Sequence, residues 1–276
     1  MTNPLQKIFK EVKPIIGMVH VPALPGSYQY DAAKGMRAIR EKARKDALIM
    51  QEHGVDGVMF CNEYDRPYTF KIHPTSIAAM TDCISRVAEE LTIPYGVNML
   101  WDPIATVSVA NAVDAHFVRE VFTGVYASDM GLWQPDIHEV RKILRDVGND
   151  KLELFANIVP EFCGSLDVRP LKAVARSVVT SSLFNVLLIS GLTAGMEADL
   201  DIICEVKSVV PEAAVLVNTG VRINTVEKYL SVADGGIVGT YFKKDGITWN
   251  DADPERVKNF MQVVRDFRKK LADSSR

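Results

Sequence analysis

Polar and ionisable residues of the types that bind anions or transfer protons follow a series of short apolar segments along the chain. The candidates for catalysis are Glu63, His20, Asp129 and Arg119. Carboxylates and imidazoles transfer protons, and a guanidinium group balances the charge of an anionic ligand. Amide, hydroxyl and carboxylate side chains at corresponding places are candidates for binding substrate hydroxyl groups, and they are Asn62, Asn98, Asp102, Asn157, Ser190 and Asn218.

Two glycine-containing segments, VNTG and IVGT, predict a phosphate-binding site. Each combines glycine and threonine at the end of an apolar segment, where backbone N–H groups approach a ligand closely and a hydroxyl lies beside them. The predicted phosphate-binding residues are Gly191, Thr219, Gly220, Gly239 and Thr240. The alternative is that the glycines only permit tight turns. The segment SGLTAG, which contains Gly191, is either a loop that closes over a ligand or a glycine-rich connector.

Several candidates also have a purely structural interpretation. Glu63 could form a salt bridge with Arg66, and His20 could be a structural histidine. Arg119 and Glu120 are adjacent in one apolar segment, so we expect at most one of them to face the interior of the fold. Arg119 is the preferred choice.

No motif in the sequence requires a metal ion or an organic cofactor, and we expect none to be obligatory. A pool of carboxylates could supply oxygen ligands to Mg²⁺, and it consists of Glu63, Asp102, Asp129 and Glu161. The four cysteines are scattered without any CxxC pair, which predicts reduced thiols instead of a disulfide framework or a zinc cluster.

Eight short apolar segments, each followed by a longer amphipathic stretch, are the elements that would position these residues. The segments are Ile15–His20, Gly57–Asn62, Tyr95–Leu100, Ala115–Phe122, Leu152–Val159, Asn185–Ser190, Ala214–Gly220 and Gly235–Thr240. Their continuous apolar character is typical of parallel strands covered on both faces. Eight such βα units predict a single α/β domain, a (β/α)8 TIM barrel with its site at the carboxyl ends of the strands. An open doubly wound sheet is the alternative.

Helix boundaries are marked by residues that favour caps. Asp102-Pro103 and Asp253-Pro254 predict helix starts, and Asn224 with Glu227 predicts a capping box. Gly54 and Gly148 predict helix ends. We expect one domain over residues 1–276, with a short N-terminal extension over 1–13 and a C-terminal helix over 253–272.

Composition excludes several classes of partner. The chain has 276 residues and a formal net charge of −3, which argues against a surface that binds nucleic acid. No segment approaches the roughly 20 apolar residues needed to cross a bilayer, and the N-terminus lacks the features of a signal peptide. We therefore expect a cytoplasmic protein whose partner is a small anionic metabolite. A homo-oligomer is expected, because many barrels self-associate.

Five sequence blocks together resemble the BtpA/SgcQ family, and the resemblance runs from about residue 16 to about residue 266. The blocks are GMVHVPALPGS, GVDGVMFCNEYDRPY, PYGVNMLWDP, LLISGLTAG and ADGGIVGTYFKKDGITWNDADPERV. The chain is more similar to the SgcQ-like branch. The resemblance implies a TIM barrel related to the ribulose-phosphate-binding barrels. It also implies site roles for His20, Glu63, Asn98, Arg119, Asp129 and the two glycine turns.

Two functions are compatible with this resemblance. SgcQ-like relatives resemble proteins of sugar metabolism, which implies an enzyme acting on a small phosphorylated sugar by isomerisation, epimerisation, lyase chemistry or glycosyl transfer. The name BtpA comes from a role in photosystem I biogenesis, which implies a non-catalytic assembly factor. The polar residues at the predicted strand ends favour the enzyme. No lysine ends any of the eight segments, which disfavours a Schiff-base aldolase.

Overall fold

Short, fully buried apolar segments form the centre of the fold as parallel strands. The computed structural model describes residues 3–193 and 195–274, and eleven strands lie within these ranges. They are β1 (Ile15–His20), β2 (Gly57–Cys61), β3 (Tyr95–Asn98), β4 (Phe117–Glu120), β5 (Tyr126–Ser128), β6 (Gly131–Trp133), β7 (Glu153–Val159), β8 (Cys163–Ser165), β9 (Val186–Ile189), β10 (Ala214–Asn218) and β11 (Gly235–Val238).

Eight of the strands in the described ranges close into a parallel barrel in the order β1-β11-β10-β9-β7-β4-β3-β2. The first strand pairs on one side with β2 and on the other with β11, so the barrel has no open edge. The prediction of a closed TIM barrel is therefore confirmed, and the open doubly wound sheet is excluded. Each of the eight predicted apolar segments contains one barrel strand.

Amphipathic helices surround the barrel and cover its outer face. Over the described residues they are α1 (Gly35–Glu52), α2 (Pro74–Ala88), α3 (Pro103–Ala112), α4 (Ile137–Asp146), α5 (Leu171–Ser181), α6 (Leu200–Val209), α7 (Val226–Val232) and α8 (Pro254–Ser274). Aliphatic side chains such as Val58 and Val215 pack between strands and helices, whereas Met59, Phe155 and Leu216 belong to a second apolar cluster inside the barrel. None of the helices described here has the length and apolar character needed to cross a membrane.

Most of the predicted helix caps are present. Asp102 accepts a hydrogen bond from the amide of Ala105, and Asp253 accepts two at the start of α8. Gly54 and Gly148 adopt the left-handed conformation after α1 and α4. The predicted capping box at Asn224 was wrong: α7 begins at Val226 after Thr225, with no side-chain cap, because the amide of Val226 donates instead to the carbonyl of Arg222.

A small antiparallel sheet, in the order β6-β5-β8, is an addition to the barrel that the sequence did not reveal. The hairpin β5-β6 follows β4, and β8 follows β7 and pairs with β5. The hairpin brings Trp133 against Trp101, which follows β3, at a ring-centroid distance of 4.9 Å. The sheet therefore packs on loops at the carboxyl ends of the barrel strands.

The N-terminal segment closes the opposite end of the barrel. A 3-10 turn over Pro4–Lys7 buries Leu5, and Phe9 is also buried. The ring of Phe9 lies 5.6 Å from that of Phe117 at the start of β4, and it is close to Gly57 at the start of β2. The predicted extension is thus part of the apolar cluster inside the barrel.

Candidate functional site

A cavity of about 530 Å³ opens at the carboxyl ends of the barrel strands. It receives side chains or backbone from the loops after seven of the eight barrel strands. The sequence-predicted site residues that line it are His20, Glu63, Arg119, Asn157, Asn218, Thr219, Gly220, Gly239 and Thr240. This volume is within the range of about 300–1,000 Å³ typical of small-molecule sites.

An ion pair between Arg119 and Glu161 lies at the centre of the cavity. Nη2 of Arg119 donates to both carboxylate oxygens of Glu161, at 2.7 and 2.9 Å. The amide groups of Asn157 and Asn218 donate to the same carboxylate, at 3.1 and 3.3 Å. Both amides also donate to the Ser190 hydroxyl, so the three predicted polar residues form one hydrogen-bonded layer. Within this layer, Ser190 is buried and does not line the cavity.

Glu120 also lines the cavity, so the expectation that at most one of Arg119 and Glu120 would face inward was wrong. Asn98 connects them: its Oδ1 accepts from Arg119 at 2.9 Å, and its Nδ2 donates to Glu120 at 2.7 Å. Because Glu120 is the last residue of β4, its side chain is free to reach the Trp101 amide, at 3.2 Å. Burial raises the pKa of Glu120 to about 8, although its three hydrogen-bond donors and Arg119 oppose the shift.

Glu63 lies at the edge of the polar centre, after β2. Its carboxylate accepts hydrogen bonds from the Cys61 thiol, at 3.5 Å, and from the Tyr68 hydroxyl, at 3.4 Å. Burial raises the pKa of Glu63, and the charge of Glu161 adds to this effect, while Arg119 opposes it. The predicted alternative, a salt bridge with Arg66, is not formed, since the Arg66 guanidinium stacks on Trp249 at 3.7 Å.

His20 ends β1 and is almost fully buried beside the eighth-strand turn. Nδ1 lies 3.2 Å from the carbonyl oxygen of Thr248, which can only accept, so Nδ1 carries the proton in the neutral ring. Burial first, and then the charge of Lys243, lower the pKa of His20 to about 3. The neutral imidazole therefore presents Nε2, near Gly239, as a hydrogen-bond acceptor.

The two predicted glycine turns border the same cavity, but contacts within the protein explain why glycine is needed. Gly220 has φ +65°, and a Cβ there would collide with the Met196 carbonyl oxygen. A Cβ at Gly191 would meet the same oxygen, and Gly191 does not line the cavity; its amide donates to the Thr219 hydroxyl at 2.7 Å. Gly239 is not left-handed. Contacts with the Met196 carbonyl thus account for Gly191 and Gly220, while Thr219, Gly220, Gly239 and Thr240 line the cavity.

Two arginines that the sequence analysis missed lie on this side of the cavity. Arg222 follows the turn after β10, and Arg256 lies in the first turn of α8. Nη2 of Arg222 donates to the Gly195 carbonyl at 3.1 Å, and Nε of Arg256 donates to the Tyr241 carbonyl at 2.7 Å. Within residues 3–193 and 195–274, neither arginine forms an ion pair. We call these two residues the rim arginines.

The opposite side of the cavity is apolar and aromatic, and this too was missed. It is formed by Tyr68, Leu100, Trp101 and Phe162, which we call the aromatic wall. Trp101 has φ +72° and Phe162 has φ +61°, a conformation that costs a non-glycine residue roughly 1–2 kcal/mol. The indole N–H of Trp101 and Nε of Arg119 are buried and have no partner in the described part of the chain.

Three further predicted site residues lie outside the cavity lining, and two of them have structural roles. Asn62 is fully buried between Asp65 and the amide of Leu100, and it does not line the cavity. Asp102 caps α3 and accepts a second hydrogen bond from the amide of Ile72. Asp129 is exposed in the β5-β6 hairpin, outside the cavity lining.

The four carboxylates considered for Mg²⁺ are consequently not gathered at one point. No group of three or more His, Cys, Asp or Glu residues suited to a metal ion occurs among the described residues. In the segment SGLTAG, Ala194 lies outside the described residues. Met196, just after this segment, lines the cavity.

Lys243, which follows the eighth barrel strand, is fully buried. Its Nζ donates to Asp46 at 2.8 Å, and Lys42 donates to the same carboxylate at 2.7 Å. Burial lowers the pKa of Lys243 to about 8, while Asp46 opposes the shift. Among the described residues, no lysine lines the cavity.

Comparison with known sequences places the chain in a family. The model of the BtpA family matches residues 11–266. The chain belongs to the BtpA family. Within this family it is 41% identical to the sgc region protein SgcQ of Escherichia coli, over 96% of this chain and 99% of that protein. It is 26% identical to the photosystem I biogenesis protein BtpA of Synechocystis, over 95% of this chain and 91% of that protein.

Solved structures share the fold of this BtpA-family chain. Phosphoribosyl anthranilate isomerase from Thermus thermophilus superposes with a TM-score of 0.57 over 92% of this chain and 98% of that one, at 8% sequence identity. At this identity the likeness shows the fold alone.

Proposed function

We propose that this protein is an enzyme that binds a small phosphorylated sugar or a related metabolite in the barrel mouth and transfers a proton within it. The observation that supports this most is the composition of one cavity. It combines two arginines that form no ion pair in the described part of the chain with three carboxylates, Glu63, Glu120 and Glu161, of which the last two are buried.

The phosphate group binds between the rim arginines and the turns after β10 and β11. These are the seventh and eighth strands of the barrel, which is where TIM barrels commonly bind phosphate. Arginine forms strong charge-assisted hydrogen bonds to phosphate oxygens. The hydroxyl of Thr240, 2.8 Å from that of Thr248, supplies a further polar group on this side.

Acid–base chemistry at the centre of the cavity follows from the different environments of its carboxylates. Burial raises the pKa of Glu63 and raises that of Glu120 to about 8, so both can hold a proton at a pH where an exposed carboxyl group has lost it. Glu161 is instead paired with Arg119. A buried ion pair contributes little net stability, which favours a role of this pair in binding or catalysis.

We assign proton transfer to Glu63, because it lies at the edge of the cavity lining while Glu120 is held by three donors. His20 Nε2 accepts a hydrogen bond from a substrate hydroxyl, and Asn157 and Asn218 orient the polyol. Isomerisation, epimerisation, lyase chemistry and glycosyl transfer all require a group that gives and takes a proton at a fixed position.

A non-catalytic assembly role is the second candidate, and one observation favours it. Leu132 in β6 is 72% exposed and Val168, just after β8, is 98% exposed, so the small sheet presents apolar side chains to solvent. Exposed apolar patches are typical of surfaces that bind another protein. This role makes no use of the rim arginines or of Glu63.

Thermal unfolding in the presence of phosphorylated and unphosphorylated sugars tests the proposed enzyme. At a ligand concentration of one hundred times Kd, binding adds about 2.7 kcal/mol to the free energy of unfolding, which raises Tm by several degrees. Glucose 6-phosphate or ribose 5-phosphate should produce such a shift, and glucose and ribose should not.

The variant with Arg222→Ala and Arg256→Ala should lose most of the shift, whereas Arg145→Ala, at the far end of α4, should keep it. Glu63→Gln should retain ligand binding and lose turnover. If no phosphorylated sugar raises Tm, or if the double variant responds as the wild type does, the proposal is wrong and the assembly role gains support.

A further inference from the structure

We infer that the ligand of this cavity carries a planar aromatic or heteroaromatic group in addition to its phosphate, and that this group binds on the aromatic wall. The class of ligand is a phosphorylated glycoside with an aromatic aglycone, which includes nucleoside monophosphates. The inference rests on the proposed function, because the proposed phosphate site determines where the other end of the ligand lies. We call the rim arginines and the turns after β10 and β11 the phosphate side.

The first argument is the position of the wall in the barrel. In the observed strand order, β3 and β10 are separated by three strands in either direction, so they lie on opposite sides of the mouth. Trp101 follows β3, whereas Gly220 and Arg222 follow β10. Trp101 therefore faces the phosphate side across the cavity, while Tyr68, after β2, and Phe162, after β7, flank it. A ligand that contacts both Trp101 and the phosphate side has to span the mouth.

The second argument is that ring contacts within the protein hold the wall in place. Trp101 contacts Trp133 edge to face at 4.9 Å, and its ring lies 6.3 Å from Tyr68 and 6.4 Å from Phe162. Trp133 is in turn stacked on Phe70 at 5.7 Å. These contacts come from four different loops and fix the indole at the mouth.

The third argument is backbone strain. A bulky residue with positive φ is uncommon, and such residues persist where the surrounding structure holds them at a ligand site. Trp101 and Phe162 are both in this conformation, and both line the cavity. On the phosphate side, Thr219 has φ +67° and is the equivalent case. Three of the seven non-glycine residues with positive φ in the described part of the chain thus line this cavity, and they lie at both of its ends.

Between these two ends lies the polar centre. Asn157, Asn218 and the Arg119–Glu161 pair offer donors and acceptors suited to the hydroxyl groups of a sugar. The order across the mouth is therefore an anion site, a polyol site and an aromatic site. Tyr68 donates to the carbonyl and to the carboxylate of Glu63, which places Glu63 at the boundary between the polyol and aromatic sites.

Calorimetric titration of the purified full chain tests this arrangement. The probes are adenosine 5′-monophosphate, uridine 5′-monophosphate and 4-nitrophenyl glucoside 6-phosphate, compared with ribose 5-phosphate, glucose 6-phosphate and adenosine. Stacking of a planar group on an aromatic side chain should make at least one aryl phosphate bind about tenfold or more tightly than its sugar phosphate.

Variants separate the wall from the phosphate side. Trp101→Leu should remove the advantage of the aryl phosphate and leave the affinity for the sugar phosphate within about twofold. Phe162→Leu, at a residue that is 42% exposed, provides a second test should Trp101→Leu fail to fold. Trp249→Leu is the control, because Trp249 packs on Tyr64 outside the cavity lining and should leave both affinities unchanged.

The outcomes distinguish this inference from the proposed function. If sugar phosphates bind as tightly as every aryl phosphate, the aromatic site is refuted while the phosphosugar proposal stands. If adenosine binds as tightly as its monophosphate, the aromatic site is supported and the phosphate assignment is wrong. If none of the phosphorylated probes binds, both are refuted.

Discussion

Acidification should destabilise the folded protein through His20. The folded protein keeps this imidazole neutral, since burial and the charge of Lys243 lower its pKa to about 3. In the unfolded chain the same group takes up a proton near its ordinary pKa of about 6.5. The unfolded state therefore binds more protons between these values, and the stability that is present above pH 6.5 is lost progressively as the pH falls toward 3.

The size of this effect between pH 7 and pH 5 follows from the two pKa values. The unfolded histidine is about one quarter protonated at pH 7 and almost fully protonated at pH 5, while the folded one stays neutral. Integration over this interval gives a loss of about 2 kcal/mol in the free energy of unfolding from His20 alone.

Urea unfolding at both pH values, followed by tryptophan fluorescence, measures this loss. His20→Asn is the informative variant, because the asparagine amide retains a donor for the Thr248 carbonyl but does not titrate. Wild type should lose about 2 kcal/mol more than this variant between pH 7 and pH 5. His138→Asn removes an exposed histidine of α4 and controls for composition. An equal loss in wild type and His20→Asn would refute the assignment of a buried, neutral His20.

Three further substitutions test the packing around the site, each by urea unfolding. Gly220→Ala should destabilise the fold by at least about 1–2 kcal/mol, since the residue is left-handed and a Cβ there would collide with a backbone oxygen. The control Gly164→Ala should be nearly neutral, because a Cβ at that position has no neighbouring atom within 4 Å. Lys243→Met should cost about 3 kcal/mol, because it leaves the buried Asp46 carboxylate with less compensation; a neutral result would contradict the buried pair. Asp102→Ala should cost about 1 kcal/mol as a lost helix cap, and a change in ligand affinity would show that it has a role in binding.

The barrel was predictable because its determinants are local. The strand Ile15–His20 was predicted with its observed bounds, since all six residues are buried and the segment is apolar throughout. The segment Leu152–Val159 ends where β7 ends, whereas the ends of the remaining segments were placed too late, as with Gly235–Thr240, of which only the first four residues form β11. The three-residue strands of the small sheet were missed, because segments this short leave no hydrophobic period to detect.

The lining of the candidate cavity was predictable at the strand ends and in the first residues after them, and not farther along the loops. Asn157 and Asn218 were found because they lie in strands whose carboxyl ends meet at one face. Arg222 and Arg256 lie in polar stretches of the sequence. The pattern of such a stretch is the same whether the arginine side chain points into the barrel mouth or into solvent. The position of Arg222, two residues beyond the VNTG turn, was the one available signal. The orientation of Trp101 depends on a strained backbone and on a hairpin distant in sequence, and neither is encoded in a local pattern.

Leu5 and Phe9 close the end of the barrel opposite the cavity, which limits where molecules can enter and leave the barrel interior. Aromatic and aliphatic side chains fill the barrel interior at the end opposite the cavity. There Phe9 contacts Phe117, and the rings of Phe117 and Phe155 are stacked 4.9 Å apart. Access to the barrel interior is therefore from the side of the loops at the carboxyl ends of the strands. Shortening the chain by its first nine residues would expose these apolar side chains at the end of the barrel opposite the candidate site.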